Sequence, residues 1–198
     1  MLKFIVYNNY PHPERTDLLH EKFIMPRSAS SVAEAQKLIR PLVNVDITNE
    51  KIGMTAFLSN RSIKKLGSEK ATSKSISPAL HAKAIANIDI LYKNADFDVT
   101  HSDYKNSTRV KQIHRLGTLM FDEKSGKLVP VAITVKEFLD RNANIVYSIE
   151  ALDINKKLNS AGRTTGLTGG PCNGGGTVPI TEFNEKMQLL LDNACPKS

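Results

Sequence analysis

The sequence predicts an α+β fold, with N-terminal helices packed on one face of a roughly four-stranded antiparallel sheet. Three observations carry this. Helix-period segments come early, between residues 30 and 96. Period-two segments follow, between 116 and 151, with turn signals between them. The chain has 198 residues, 40% of them hydrophobic, which is enough for one domain with a real core.

The elements follow in order. Residues 1–8 read as a short strand, and Pro11, Pro13 and Pro26 break any helix after it. "SSVAEAQKLIR" reads as a helix capped by Ser30 or Ser31 and stopped before Pro41. "KIGMTAFL" alternates, with Ile52, Met54, Ala56 and Leu58 on one side, which is a strand pattern. "SNRSIKKLGS" reads as a short helix between a Ser59 or Asn60 cap and Gly67. "SPALHAKAIANIDILYKNAD" is the clearest helix, with Pro78 in its first turn and Leu80, Ala84, Ile88, Leu91 and Tyr92 as an apolar stripe. A polar loop separates it from strands at 116–121, 128–136 and 144–151. "DEKSG" is a hairpin turn, and "EFLDRNA" is a longer link. Residues 159–177 are rich in Gly, Thr and Asn and read as a linker. "ITEFNEKMQLLLDNA" reads as a helix capped by Thr181. The resulting division is an extension over 1–42, a basic domain over 43–155, and a linker with a C-terminal helix over 156–198.

The formal charge is +7, and its distribution is informative. Residues 51–149 hold 16 cations against nine acids, while each flanking part is balanced. A basic excess confined to one segment is the footprint of a phosphate-binding surface, and it is equally the mark of a basic domain with no polyanionic partner. No apolar run has the length of a membrane span, and "MLKFIVYNNY" lacks the apolar core and cleavage site of a signal peptide. Cys172 and Cys195 are compatible with one disulfide or with two thiols, and no cysteine–histidine spacing suggests a metal. The Gly-rich "TGGPCNGGGT" has no Walker lysine.

Candidate chemistry sits in the basic segment. "RSIKKLGSEKATSKS" sets Arg61, Lys64, Lys65, Lys70 and Lys74 against one acid, Glu69, with Ser68, Ser73 and Ser75 between them. Cations and hydroxyls of this kind hold phosphate oxygens. A solvated helix face accounts for most of these lysines equally well. "RVKQIHRLGTLMF" puts His114 and Arg115 at the mouth of a strand. Alternation along the next two strands places Thr134, Lys136, Ser148 and Glu150 on the sheet's open face. Together they suit metal-free cleavage of RNA. A base takes the 2′-hydroxyl proton, cations stabilise the phosphoryl charge, and an acid protonates the leaving 5′-oxygen. Histidine suits the proton roles. Glu150 serves as base, or orients His114 or Lys136. The bland alternatives are that His114 caps a strand edge and that His81 flanks a core helix.

"IGMTAFLSNRSIKKLGSEKATSKS", "LHAKAIANIDILYKNA", "IHRLGTLMF", "AITVKE" and "NIVYSIEALDI" together resemble the nuclease-like domains of phage and mobile-element polyvalent proteins. Those domains are similar to the barnase–EndoU–colicin–RelE superfamily. The resemblance covers roughly residues 43–155. It implies helices followed by a four-stranded antiparallel sheet, and a metal-independent ribonuclease or ribonuclease-like toxin with no cofactor. The positions matching it are Lys65, Ser68, Lys74, Ser75, His81, His114, Lys136 and Ser148. It also implies RNA as partner, tRNA or another structured RNA. An acidic immunity protein would cover the basic face, and the setting would be the cytoplasm or a target cell into which the protein is delivered. The alternative is a non-catalytic nucleic-acid or partner-binding module of such a protein. Both functions rest on His114 and Lys136 converging on one electropositive hollow in the first case, and on the basic face alone in the second.

Overall fold

The computed structural model describes residues 23–103, 109–140, 142–154 and 178–194. The strand expected at 1–8, the Gly-rich stretch, His12, His20 and both cysteines lie outside these residues. Helix α1 (Val32–Ile39) leads through a 3-10 turn (Arg40–Leu42) into β1 (Asp46–Asn49) and β2 (Met54–Phe57). Four short helices follow: α2 (Asn60–Leu66), α3 (Glu69–Lys74), α4 (Pro78–Ala86) and α5 (Ile88–Lys93). The chain then makes β3 (Phe97–His101), β4 (Val110–Asp122), β5 (Lys127–Leu139), β6 (Ile145–Asp153) and helix α6 (Val178–Ala194).

The α+β class holds, but the sheet corrects the expected four antiparallel strands. It has six, in the order β1-β2-β6-β5-β4-β3. All neighbours pair antiparallel except β2 and β6, which run parallel and meet at Phe57 and Ser148. A parallel neighbour needs a long crossover. Here α2 to α5 supply the first part of it, carrying the chain from β2 to the opposite edge of the sheet. β1 and β3 are only four and five residues long. That is too short for alternation to stand out from a polar loop. β4 and β5 run to 13 residues each, so the "polar loop" and the "EFLDRNA" link are partly strand.

The local signals explain the helix ends. Ser31, Ser59, Ser68 and Ser77 each accept a backbone N–H at the start of α1, α2, α3 and α4. The helix expected over 77–96 is interrupted at Asn87, which adopts φ −119° and ψ 24°. Its side-chain amide donates to the carbonyls of Lys83 and Arg27. Gly67 closes α2 at an ordinary φ of −89°. Glycine suits the position for a different reason: a Cβ would displace the Gln36 amide and stand 3.0 Å from Val32 Cγ1. Helix α6 starts at Val178, so Thr181 lies inside it and does not cap it.

Register fixes which side chains share a face. Leu116 opposes Ile133, and Val135 opposes both His114 and Ile149. Leu116, Ile133, Val135 and Ile149 pack with Ala35 and Ile39 of α1, Leu66 of α2, Ile85 of α4 and Leu91 and Tyr92 of α5. The core therefore includes α1, which lies within the 1–42 extension read from the sequence. On the other face Val99, Leu119 and Ala132 pack against Phe183 and Met187 of α6, with Phe23. That face was expected to be open. Over β3, β4 and β5 it carries α6. Burying one leucine or isoleucine side chain contributes about 1.5–3 kcal/mol, so both layers are integral to stability.

The segment before α1 is clamped to the helices. Arg27 donates to both carboxylate oxygens of Asp89, at 2.6 and 2.7 Å, and to the Ala86 carbonyl at 2.6 Å. Its guanidinium pKa is raised, chiefly by the hydrogen bond to Asp89. Among the described residues no helix is long and apolar enough to cross a membrane.

Candidate nucleic-acid interface

The basic segment folds as α2 and α3, joined by Gly67 and Ser68. Arg61, Lys64 and Lys65 recur at three- and four-residue spacing along α2, so they share one face. Lys70 and Lys74 do the same on α3. All five are exposed. Lys65 is engaged, because its ammonium pairs with Glu150 on β6. Among the described residues no acid forms a salt bridge with Arg61, Lys64, Lys70 or Lys74. Four cations thus stand in solvent on two consecutive helices, with Glu69 as the one acid between them.

The hydroxyls of this segment bond to the protein itself. Ser68 Oγ accepts from the Ala71 N–H at 3.3 Å. Thr72 and Ser73 bond to backbone carbonyls within α3. Ser75 is buried and donates to Nδ1 of His81 at 2.7 Å. Phosphate contacts from Ser68 and Ser75 were the expectation; the bond to buried His81 commits Ser75, whereas Ser68 only accepts as a cap, which leaves its O–H able to donate. Lys74 keeps an exposed position, and Lys65 is partly neutralised by Glu150.

His81 is fully buried in α4. Its Nε2 donates to the Leu66 carbonyl at 2.8 Å. With that nitrogen protonated, Nδ1 is the acceptor of the Ser75 hydroxyl. The imidazole ties the end of α2 and the end of α3 to α4, and neither nitrogen faces solvent. Its placement is that of an internal strut.

His114 and Lys136 do not converge. β4 and β5 pair without interruption from Gln112 to Asp122, with His114 opposite Val135 and Ile113 opposite Lys136. His114 therefore lies on the face of Val135 and Ile149, the helix side. Lys136 lies on the other face, 3.9 Å from Asp103. Successive side chains on a strand point to opposite faces, and this alternation separates the two groups. Among the described residues the two side chains therefore share no face of the β4–β5 ladder.

His114 has other company. Its Nε2 donates to Glu137 Oε2 at 3.3 Å, and both groups are largely buried. The ring meets Tyr147 edge-on, with centroids 5.6 Å apart, and Thr100 Oγ1 lies 3.5 Å from Nδ1. Glu137 was not singled out from sequence, because it adjoins Lys136 and lies 23 residues from its partner.

Thr134, Lys136 and Ser148 do share a face, since Lys136 opposes Ser148 and Thr134 opposes Ala151. Glu150 is the extra residue of a bulge between these pairs. Ser148 and Glu150 are buried rather than open. Ser148 donates to Glu150 Oε1 at 3.1 Å, and Ser62 of α2 lies 3.3 Å from Ser148. With Lys65 on Glu150, this is a closed polar seam between α2 and β6. Arg115 is also committed. Its guanidinium lies 4.9 Å from the centre of the Phe183 ring on α6 and 3.9 Å from Asp153. No metal-ligand cluster occurs among the described residues.

A family model described as "Large polyvalent protein-associated domain 3" matches residues 29–147. No curated protein and no solved structure matches the chain.

Proposed function

The chain belongs to the large polyvalent protein-associated domain 3 family, a domain of phage and mobile-element polyvalent proteins, and from that premise we propose that it acts there as a nucleic-acid-binding module through α2 and α3. One observation carries the reading. Arg61, Lys64, Lys70 and Lys74 are exposed on adjoining short helices with no salt-bridge partner among the described residues. Cations placed in this way attract a polyanion by releasing its counterions, whatever its sequence. His81 offers no competing role, because it is an internal strut, and His114 sits on the opposite sheet face from Lys136.

The test is binding of a labelled oligonucleotide, followed by anisotropy across a salt series. Four phosphate contacts give a slope of log K against log salt of about −3 to −4. Reversing two charges, Arg61→Glu with Lys64→Glu, is expected to flatten the slope by about 1.5–2. An unchanged slope and affinity in the double variant would remove the reading.

A metal-independent ribonuclease is the second reading, and one observation favours it. His114 and Glu137 form an imidazole–carboxylate pair, the arrangement that orients a general base. The phosphate-neutralising cation would then come from Arg109 or Lys111, exposed at the start of β4, and not from Lys136. An acidic immunity partner belongs to this reading. Cleavage of total RNA by chelator-treated protein, lost in His114→Ala, is its expected result. Intact RNA at every pH from about 5 to 9, a span around the histidine pKa, counts against it.

A further inference from the structure

The basic surface of α2 and α3 carries charge without aromatic rings. Between Ser31 and Ser75 the only aromatic residue is Phe57, which lies in β2 beside Ser148, and the whole chain has no tryptophan. Elsewhere among the described residues, Tyr92 and Phe183 are buried in the two cores, and Tyr147 is packed beside His114. The hydroxyl of Ser75 is committed to His81, those of Thr72 and Ser73 donate to backbone carbonyls, and Ser68 accepts as a helix cap.

We infer that the ligand of this surface is the phosphate backbone of a duplex and not a single strand; this rests on the reading of α2 and α3 as a nucleic-acid interface. Proteins that hold single strands stack bases on aromatic side chains, each stack contributing about 1–3 kcal/mol. Neither α2 nor α3 carries a ring to replace base stacking, and the aromatic residue nearest to them in sequence, Phe57, is half-buried. What remains is a set of cations, and their return rises with the density of the polyanion. A duplex presents one phosphate charge per about 1.7 Å of axis, roughly twice the density along one strand, and it releases more counterions per contact.

Helix α1 widens the surface. Gln36 donates to the Ile63 carbonyl at 2.8 Å, which seats α1 against the second half of α2. Arg40, one turn on from Gln36 along the same stripe, is exposed and has no salt-bridge partner among the described residues. The inferred contact therefore runs over three short helices, with Arg40, Arg61, Lys64, Lys70 and Lys74 as its cations. Duplex DNA and duplex RNA share this chemistry, and the experiment separates them.

The full chain is titrated at fixed low salt into three labelled probes of equal length: a DNA duplex, an RNA duplex of the same sequence, and one unstructured DNA strand. A duplex is expected to bind about tenfold or more tighter than the strand, by its charge density alone, and Lys64→Glu is expected to weaken it. Whichever duplex binds better names the source. Equal or tighter binding of the single strand, weakened by the same substitution, overturns the duplex inference and leaves the interface standing. No binding of any probe overturns both.

Discussion

Replacing His81 distinguishes an internal strut from a catalytic group. The imidazole is fully buried, donates to the Leu66 carbonyl at 2.8 Å and accepts from Ser75 at 2.7 Å. His81→Ala leaves a buried carbonyl and a buried hydroxyl without partners, at about 1–3 kcal/mol each. It also leaves a cavity the size of a ring, and truncating a buried aromatic to alanine typically costs about 3–5 kcal/mol in total. A loss of about 4 kcal/mol is therefore expected, nearly a thousandfold in the folding equilibrium. His81→Gln keeps an amide N–H near the Nε2 position and can still reach Leu66. Its expected loss is about half as large. Urea denaturation of the three proteins should rank them wild type, His81→Gln, His81→Ala. Oligonucleotide binding, measured below each unfolding transition, should be unchanged in His81→Gln. A wild-type midpoint for His81→Ala, together with lost binding or cleavage, would refute the strut.

Three further outcomes follow from named contacts. Gly67→Ala should destabilise by about 1 kcal/mol, the value of the Gln36–Ile63 hydrogen bond it displaces. In a Gln36→Ala background the same change should cost less, since only the Val32 Cγ1 contact remains, as a double-mutant cycle in urea would show. Arg27→Ala removes two charge-assisted bonds to Asp89, which is left largely buried, and should lower stability by roughly 2 kcal/mol after allowing for the partial exposure of the arginine. Asp140 accepts the N–H groups of Asn142 and Asn144, each at 2.8 Å, and the Asn144 contacts foremost hold its pKa below the ordinary 3.8. Its contribution is therefore present above the unfolded-chain value and is lost as pH falls through the lower folded one. The Asn142 and Asn144 amide shifts should titrate with a midpoint under 3.8 in wild type, and that step should vanish in Asp140→Asn.

The legible parts of the fold were those with strong local signals. Serine caps placed the starts of α1 and α2, Pro78 placed that of α4, and "DEKSG" placed the β4–β5 hairpin, where Gly126 takes φ +67°. The hidden parts depend on contacts between distant segments. β1 exists because Ile47 and Asn49 pair across a turn with Ala56 and Met54, while the Asn49 side chain holds the carbonyls of Tyr92 and Ala95. Nothing in "DITN" announces this. The break at Asn87 is likewise set by Arg27, sixty residues upstream. Helix α6 reads well as amphipathic, but amphipathicity does not name the surface it covers.

The separation of His114 from Lys136 has a different origin, because the turn that fixes it was readable. A hairpin closing with Asp122 opposite Lys127 sets every pair up the ladder and reaches His114 opposite Val135. Val135 belongs to the apolar set with Val131 and Ile133, so the imidazole must share the core-side face and the next residue, Lys136, must leave it. The same count puts Gln112 opposite Glu137 and brings that carboxylate diagonally onto His114. Taken alone, each strand's alternation shows two faces without saying which meets the neighbour's; the turn joins them. The bulge at Glu150 escapes such counting, as does the register shift between Val110 and Gln112. The bulge shifts the register of β6 by one residue and leaves the Glu150 carboxylate hydrogen-bonded to Ser148 and paired with Lys65. The charge left over is what α2 and α3 hold in solvent, where a polyanion can reach it.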